Sequence, residues 1–176
     1  AEIREAVQRG LAMYSKWMEE TREEGKRCIS KARALGARIM ILAGRPYHVD
    51  PGICQGIDGL AEALGFVVVT EDAVATLAGE VPGTDVLNQW TYHARLYNAA
   101  HFAVKNPDCH LVQLVSFGCG LDAITSDEVR AILERGGKLY TQIKIDEISN
   151  LGAAGIRLRS LIGALDEIER KKERVG

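Results

Sequence analysis

Aromatic residues make up only 6% of this 176-residue chain, and it holds just four prolines and four cysteines. With so little proline and 47% hydrophobic residues, the sequence is not that of a disordered chain. The cysteines, at 28, 54, 109 and 119, form no CxxC or CxxCH spacing, which excludes the usual zinc, thioredoxin and haem-attachment patterns. A chain this long buries enough core to need no disulfide framework. Neither sign of charge is in excess: 22 basic residues stand against 24 acidic ones, for a net charge of -2. That balance argues against a nucleic-acid binder, which needs a basic surface. No apolar run approaches the ~20 residues of a membrane span, since the longest lie at 39–43 and 66–69. The first residues are polar and amphipathic and do not resemble a signal peptide. The expectation is a soluble cytoplasmic protein with no membrane partner.

What is present is periodic. Ile3, Val7, Leu11, Tyr14 and Met18 recur at spacings of three and four, with Trp17 beside them, which predicts an amphipathic helix that needs a surface to lie on. The polar run from Thr21 to Lys31 contains Gly25, where a kink is expected, and Gly36 marks the stop. Residues 1–35 thus read as an N-terminal helical segment packing on an α/β domain at 36–176, one globular unit that looks excised from a larger protein. In that domain short apolar blocks predict strands near 38–43, 66–70, 110–115 and 138–145, each covered on both faces. Helical spacing fills the gaps at 57–64, 87–104 and 123–133, with a last helix at about 156–172. Alternation of this kind predicts a three-layer α/β fold with a mainly parallel four-stranded sheet, a Rossmann or flavodoxin-like half, in the order 2-1-3-4.

In a parallel sheet the loops after the strands share one edge, where ligands bind. The first loop, 44–52, displays Arg45, Tyr47, His48 and Asp50 on a turn stiffened by two prolines. It suits an anion, or else Asp50 is a cap and His48 bonds to backbone. The second, Thr70-Glu71-Asp72, reads as a structural cap of the next helix. Further on, 88–97 carries Trp90, Tyr92, His93 and Arg95. Helical spacing puts Gln89 and His93 on one side, facing a pocket, while Trp90 packs. The third loop holds Ser116, Cys119 and Asp122, with Cys119 between two glycines before a helix. A helix N-terminus favours a thiolate, so Cys119 is a candidate nucleophile, redox group or iron–sulfur ligand, or an inert residue of a tight turn. The fourth region offers Lys144, Asp146 and Asn150 for a phosphate or carboxylate, or as a plain helix cap. It lacks the Gly-Lys-Ser/Thr of a phosphate loop.

Taken in order, the phrases starting at Gly44, Asn88 and Ser116, followed by Lys144-Ile145-Asp146-Glu147, resemble the central domain of the large CoA-substrate-specific enzyme activases, the activators of 2-hydroxyacyl-CoA (2-hydroxyglutaryl-CoA) dehydratase. The likeness runs from about residue 34 to residue 161. It implies a module of an ATP-driven redox system that activates an iron–sulfur dehydratase. Its partners would be the other domains of a parent activase and a 2-hydroxyacyl-CoA dehydratase. The resemblance transfers a cluster or redox role to Cys119 in the parent protein, with no cofactor expected in the isolated domain. ATP belongs to domains that have no counterpart here. Cys54 departs from the family pattern, which puts a polar residue there.

Two other classes stand beside this reading. One is an autonomous enzyme in which Cys119 works with His48 or His93, which requires the base within hydrogen-bond reach of the sulfur. The other is a non-catalytic scaffold or ligand-binding domain whose stripe of Tyr14, Trp17 and Met18 docks on a neighbour.

Overall fold

The computed structural model describes residues 2–116, 120–145 and 151–175. Four strands, β1 (Arg38–Ala43), β2 (Phe66–Thr70), β3 (Cys109–Val115) and β4 (Thr141–Lys144), form an all-parallel sheet in the order β2-β1-β3-β4. This is the expected architecture and order. In register, Ile41 of β1 sits opposite Val69 of β2 and Leu111 of β3, and Val115 of β3 opposite Lys144 of β4. The reversal of direction therefore falls beside β1, so the loops leaving β1 and β3 emerge next to each other.

Successive strand residues feed two separate cores, as the two-residue period requires. Ile39, Ile41 and Ala43 of β1 face the helices α1 (Glu2–Ala34), α4 (Glu71–Val74), α5 (Thr91–Lys105) and α6 (Gly120–Arg135). Met40 and Leu42 face α2 (Pro51–Cys54), α3 (Ile57–Ala63) and α7 (Gly152–Val175). The central block 39–43 is almost wholly buried, which is why it reads as a continuous apolar run.

The helices bring four corrections. No kink occurs at Gly25, because α1 runs unbroken over 33 residues. A Cβ there would come within 2.7 Å of the Ala73 Cβ, so the glycine serves close packing of α1 on α4. The N-terminal apolar stripe expected to lie on the domain is instead exposed over residues 2–17; only Gly25, Ile29 and Ala32 of α1 are buried. The helix expected from residue 87 begins at Thr91, with Leu87 79% exposed and the helix-preceding Trp90 exposed rather than packed. Finally, α7 starts at Gly152, a turn earlier than expected, and β4 is shorter than 138–145.

Candidate functional site

The site grows from the loop after β1. Gly44 leaves the sheet where a Cβ would meet the His48 Nδ1 at 2.6 Å, so glycine makes room for the imidazole. Pro46 then opens a 3-10 turn, Pro46–Val49, which folds His48 back beneath the loop until it is fully buried. The backbone N–H of Arg45 donates to His48 Nδ1 at 3.1 Å. With Nδ1 accepting, the proton of the neutral ring sits on Nε2, which donates to Ser116 Oγ at 2.9 Å. Burial pushes the His48 pKa below its ordinary value and keeps the ring neutral. Ser116, at the end of β3, also lies 3.2 Å from the Tyr47 hydroxyl. Both ring nitrogens of His48 are therefore committed, and the residue holds the two loops together rather than standing ready as a general base.

Beside this cluster, Arg45 reaches across to the first turn of α6. Its Nε and an Nη both point at one oxygen of Asp122, Oδ1, at 2.9 and 2.8 Å. The other oxygen, Oδ2, is buried and has no hydrogen-bond partner among the described residues. His93, in the first turn of α5, is likewise buried, with its Nε2 unpartnered among the described residues. Burial and the Arg45 charge hold His93 below its ordinary pKa, against the pull of Asp122. The rings of Tyr92 and Trp90 flank His93 with centroids at 4.4 and 5.9 Å. Among the described residues, Asp122 thus holds an unpaired acceptor and His93 an unpaired ring nitrogen, polar groups that a hydroxyl or amide could satisfy.

Other sequence candidates fall elsewhere. Asp50 accepts the Gly52 N–H at 2.9 Å and caps α2. Arg95 turns away from His93 to pair with Glu71 at 2.9 Å. Glu71 itself was legible only as a helix cap. It is buried, and desolvation together with Asp72 raises its pKa to about 7 against the opposing pull of Arg95. Thr70, the residue before α4, gives its hydroxyl to Asp72 at 2.5 Å instead of bonding a helix N–H. A carboxylate directly after a buried strand was the available signal for Glu71. Its partner 24 residues away left none. Lys144 ends β4 on the same sheet edge and is exposed. Cys119, Asp146 and Asn150 lie outside the described residues.

The remaining thiols are poorly suited to chemistry. Cys109 begins β3 at the opposite edge from Ser116, and burial pushes its pKa up to about 12. Burial also raises the thiols of Cys54 and Cys28. Among the described residues, no group of three or more His, Cys, Asp or Glu is arranged to hold a metal ion. The described residues thus supply no ligand set for an iron–sulfur cluster, which takes four.

Residues 1–74, from α1 through the loop after β1 to α4, match the family model described as CoA enzyme activase uncharacterised domain. Over these residues the chain is similar to a CoA enzyme activase domain. The match takes in Arg45, Tyr47 and His48, while their partners Ser116 and Asp122 lie beyond it. No curated protein and no solved structure matches the chain. No helix among its described residues is long and apolar enough to cross a membrane.

Proposed function

We propose that this activase domain is the recognition module of a cytoplasmic, ATP-driven redox system that activates an iron–sulfur 2-hydroxyacyl-CoA dehydratase. In this reading ATP is handled by other domains of a parent activase. This domain binds the acyl-CoA side of the system at the carboxyl edge of its sheet. The family match supports the setting. The observations that carry the reading are two buried polar atoms without partners among the described residues, Oδ2 of Asp122, which pairs through Oδ1 with Arg45, and Nε2 of His93. A buried carboxylate oxygen and a buried ring nitrogen left unpaired cost about 1–3 kcal/mol each, a cost that a bound hydroxyl or amide removes. A 2-hydroxyacyl thioester and the amides of a pantetheine arm both carry such groups. Asp122 Oδ2 accepts from the ligand's O–H or N–H, while Arg45 orients that carboxylate.

Cys119 enters this reading as a single thiolate ligand to a cluster shared with another part of the parent.

The test is calorimetric binding of 2-hydroxyglutaryl-CoA and of free CoA to the 176-residue chain. Saturable binding that falls at least about tenfold in Asp122→Asn and in His93→Ala, with unchanged circular dichroism, supports the reading. Absence of binding, or binding indifferent to both variants, overturns it. Iron and sulfide analysis after anaerobic purification of the parent, with and without Cys119→Ser, tests the cluster separately.

A second reading, a non-catalytic interaction domain, draws on the uncovered stripe of α1.

A further inference from the structure

Among the described residues the sheet ends at β4, which pairs with β3 alone. The Ile145 N–H donates to the Val115 carbonyl at 2.6 Å. By alternation Ile143 also turns its backbone groups toward β3, and Gln142 turns its own N–H and C=O outward. Those two groups have no backbone partner among the described residues. Proline or a covering element commonly blunts such an edge. Here the edge opens instead on a cavity of about 490 Å³.

The cavity is a slot, because helices from both layers line it beside Gln142. From α7 come Arg157, Ser160, Leu161 and Ala164, which at 100° per residue form a single stripe. From α6 come Arg130 and Glu134, one turn apart and opposite in charge. Arg130 lies 5.0 Å over the ring of Tyr140, the residue before β4. Arg157 is exposed and has no carboxylate partner among the described residues.

We propose that this slot takes an extended segment of a partner polypeptide as a fifth strand, one that carries an acidic residue and, two positions away, an apolar one. Three observations select that occupant.

The first is the pair of outward backbone groups on Gln142. A donor and an acceptor side by side on a sheet edge, between two helices, are matched together by another strand lying about 4.8 Å away.

The second is spacing along α7. Side chains of a strand alternate between faces, so every second one meets α7. Arg157 and Leu161 stand about 6 Å apart along the helix, and two residues of a strand span about 7 Å. A carboxylate level with Arg157 therefore brings the residue two positions away level with Leu161, where the small Ser160 and Ala164 leave room for it.

The third is charge. Arg157 is unopposed, whereas Glu134 balances Arg130, so the α7 wall is the one that asks for a carboxylate. A second copy of β4 would instead set Lys144 and the two arginines against their own counterparts, which disfavours self-pairing.

The test uses a labelled, capped heptapeptide, Thr-Val-Thr-Glu-Thr-Val-Thr, whose symmetry serves either strand direction. Fluorescence anisotropy with the full chain is expected to show saturable binding below about 1 mM. Arg157→Glu, which alters an exposed side chain, weakens it at least about tenfold, as does lysine in place of the probe's glutamate. Of two probes N-methylated on alternate amides, the one whose methyl groups turn to β4 loses binding and the other keeps it. No binding at about 1 mM overturns the proposal. So does binding indifferent to Arg157→Glu, or equal binding of both N-methylated probes, which would mean docking by side chains alone. A chain that dimerises in sedimentation velocity at about 100 µM, and whose dimer is lost in Gln142→Pro, assigns the edge to a second copy and overturns it as well. None of these readouts involves Arg45, His93 or Asp122, so the acyl-CoA reading stands or falls separately.

Discussion

Two polar clusters meet at the carboxyl edge of the sheet, and they differ in how far their hydrogen-bonding capacity is used. In the first, the Arg45 N–H, His48, Ser116 and Tyr47 form a chain of contacts from 2.9 to 3.2 Å, with the imidazole bonded at both nitrogens. In the second, Arg45 spends two N–H groups on a single oxygen of Asp122, and among the described residues the other oxygen, like His93 Nε2, has no partner. A closed network rigidifies the loops that carry it, whereas an open one gives up stability that a ligand can restore. The first cluster is therefore a hinge pin between two loops, and the second is the set of polar groups beside it that stays open.

That contrast predicts opposite behaviour on mutation. His48→Ala carries the largest expected cost, about 2–4 kcal/mol, because it opens a cavity beneath Gly44 and strands the Arg45 N–H and the Ser116 hydroxyl. Urea unfolding measures it, and a loss under about 1 kcal/mol would mean that the loops hold together without the pin. Asp122→Asn is expected to cost less, about 1–2 kcal/mol, since an amide oxygen still accepts from Arg45. Its larger effect falls on acyl-CoA binding. Equal stability losses in the two variants would erase the distinction between pin and face.

Protonation sharpens the comparison along a second axis. The Glu71 pKa is raised from its ordinary 4.5 to about 7, chiefly by burial. Between those values the folded state binds the proton that the unfolded state has released. The Glu71 contribution is therefore full below pH 4.5 and is lost as pH rises to about 7. Buried histidines act the other way. His48 and His93 lie below their ordinary 6.5, and burial lowers His110 to about 4, so their contribution is lost as pH falls below 6.5. The two effects oppose each other over nearly the same window. Glu71→Gln removes one of them and is expected to make stability rise more steeply with pH between 4.5 and 6.5, by up to about 1.4 kcal/mol per pH unit. Parallel pH profiles for variant and wild type would show that Arg95 keeps Glu71 ionised in the folded protein.

The sheet was legible because β1 and β3 are buried on both faces and so appear as unbroken apolar blocks, and because the crossover rules leave few orders for four such strands. The edge of α5 was not legible: Leu87 continues the apolar spacing but has nothing to pack on. Periodicity likewise revealed that one side of α1 is apolar without revealing that the domain covers only its second half. For the site, topology alone brought Arg45, His48, Ser116 and Asp122 to one edge. Which atoms bond was hidden, because Arg45 and Asp122 stand 77 residues apart and no local pattern links them. Asp50 and Arg95 carry the same side-chain chemistry as true members of the cluster, and only their partners remove them from it.

Asp50 supplies the smallest test. It lies five residues after Arg45 on the same loop, yet its carboxylate turns to the Gly52 N–H and caps the four-residue α2. Removal of such a cap costs about 1 kcal/mol, and a cap this exposed sits at the lower end of the range. Asp50→Ala is therefore expected to lower stability by about 0.5–1 kcal/mol and to leave acyl-CoA affinity within about twofold of wild type. Thermal unfolding and calorimetry on the same preparation measure both. If affinity falls with Asp50→Ala as far as with Asp122→Asn, the whole loop acts as one binding surface, and the division between pin, cap and open face does not hold.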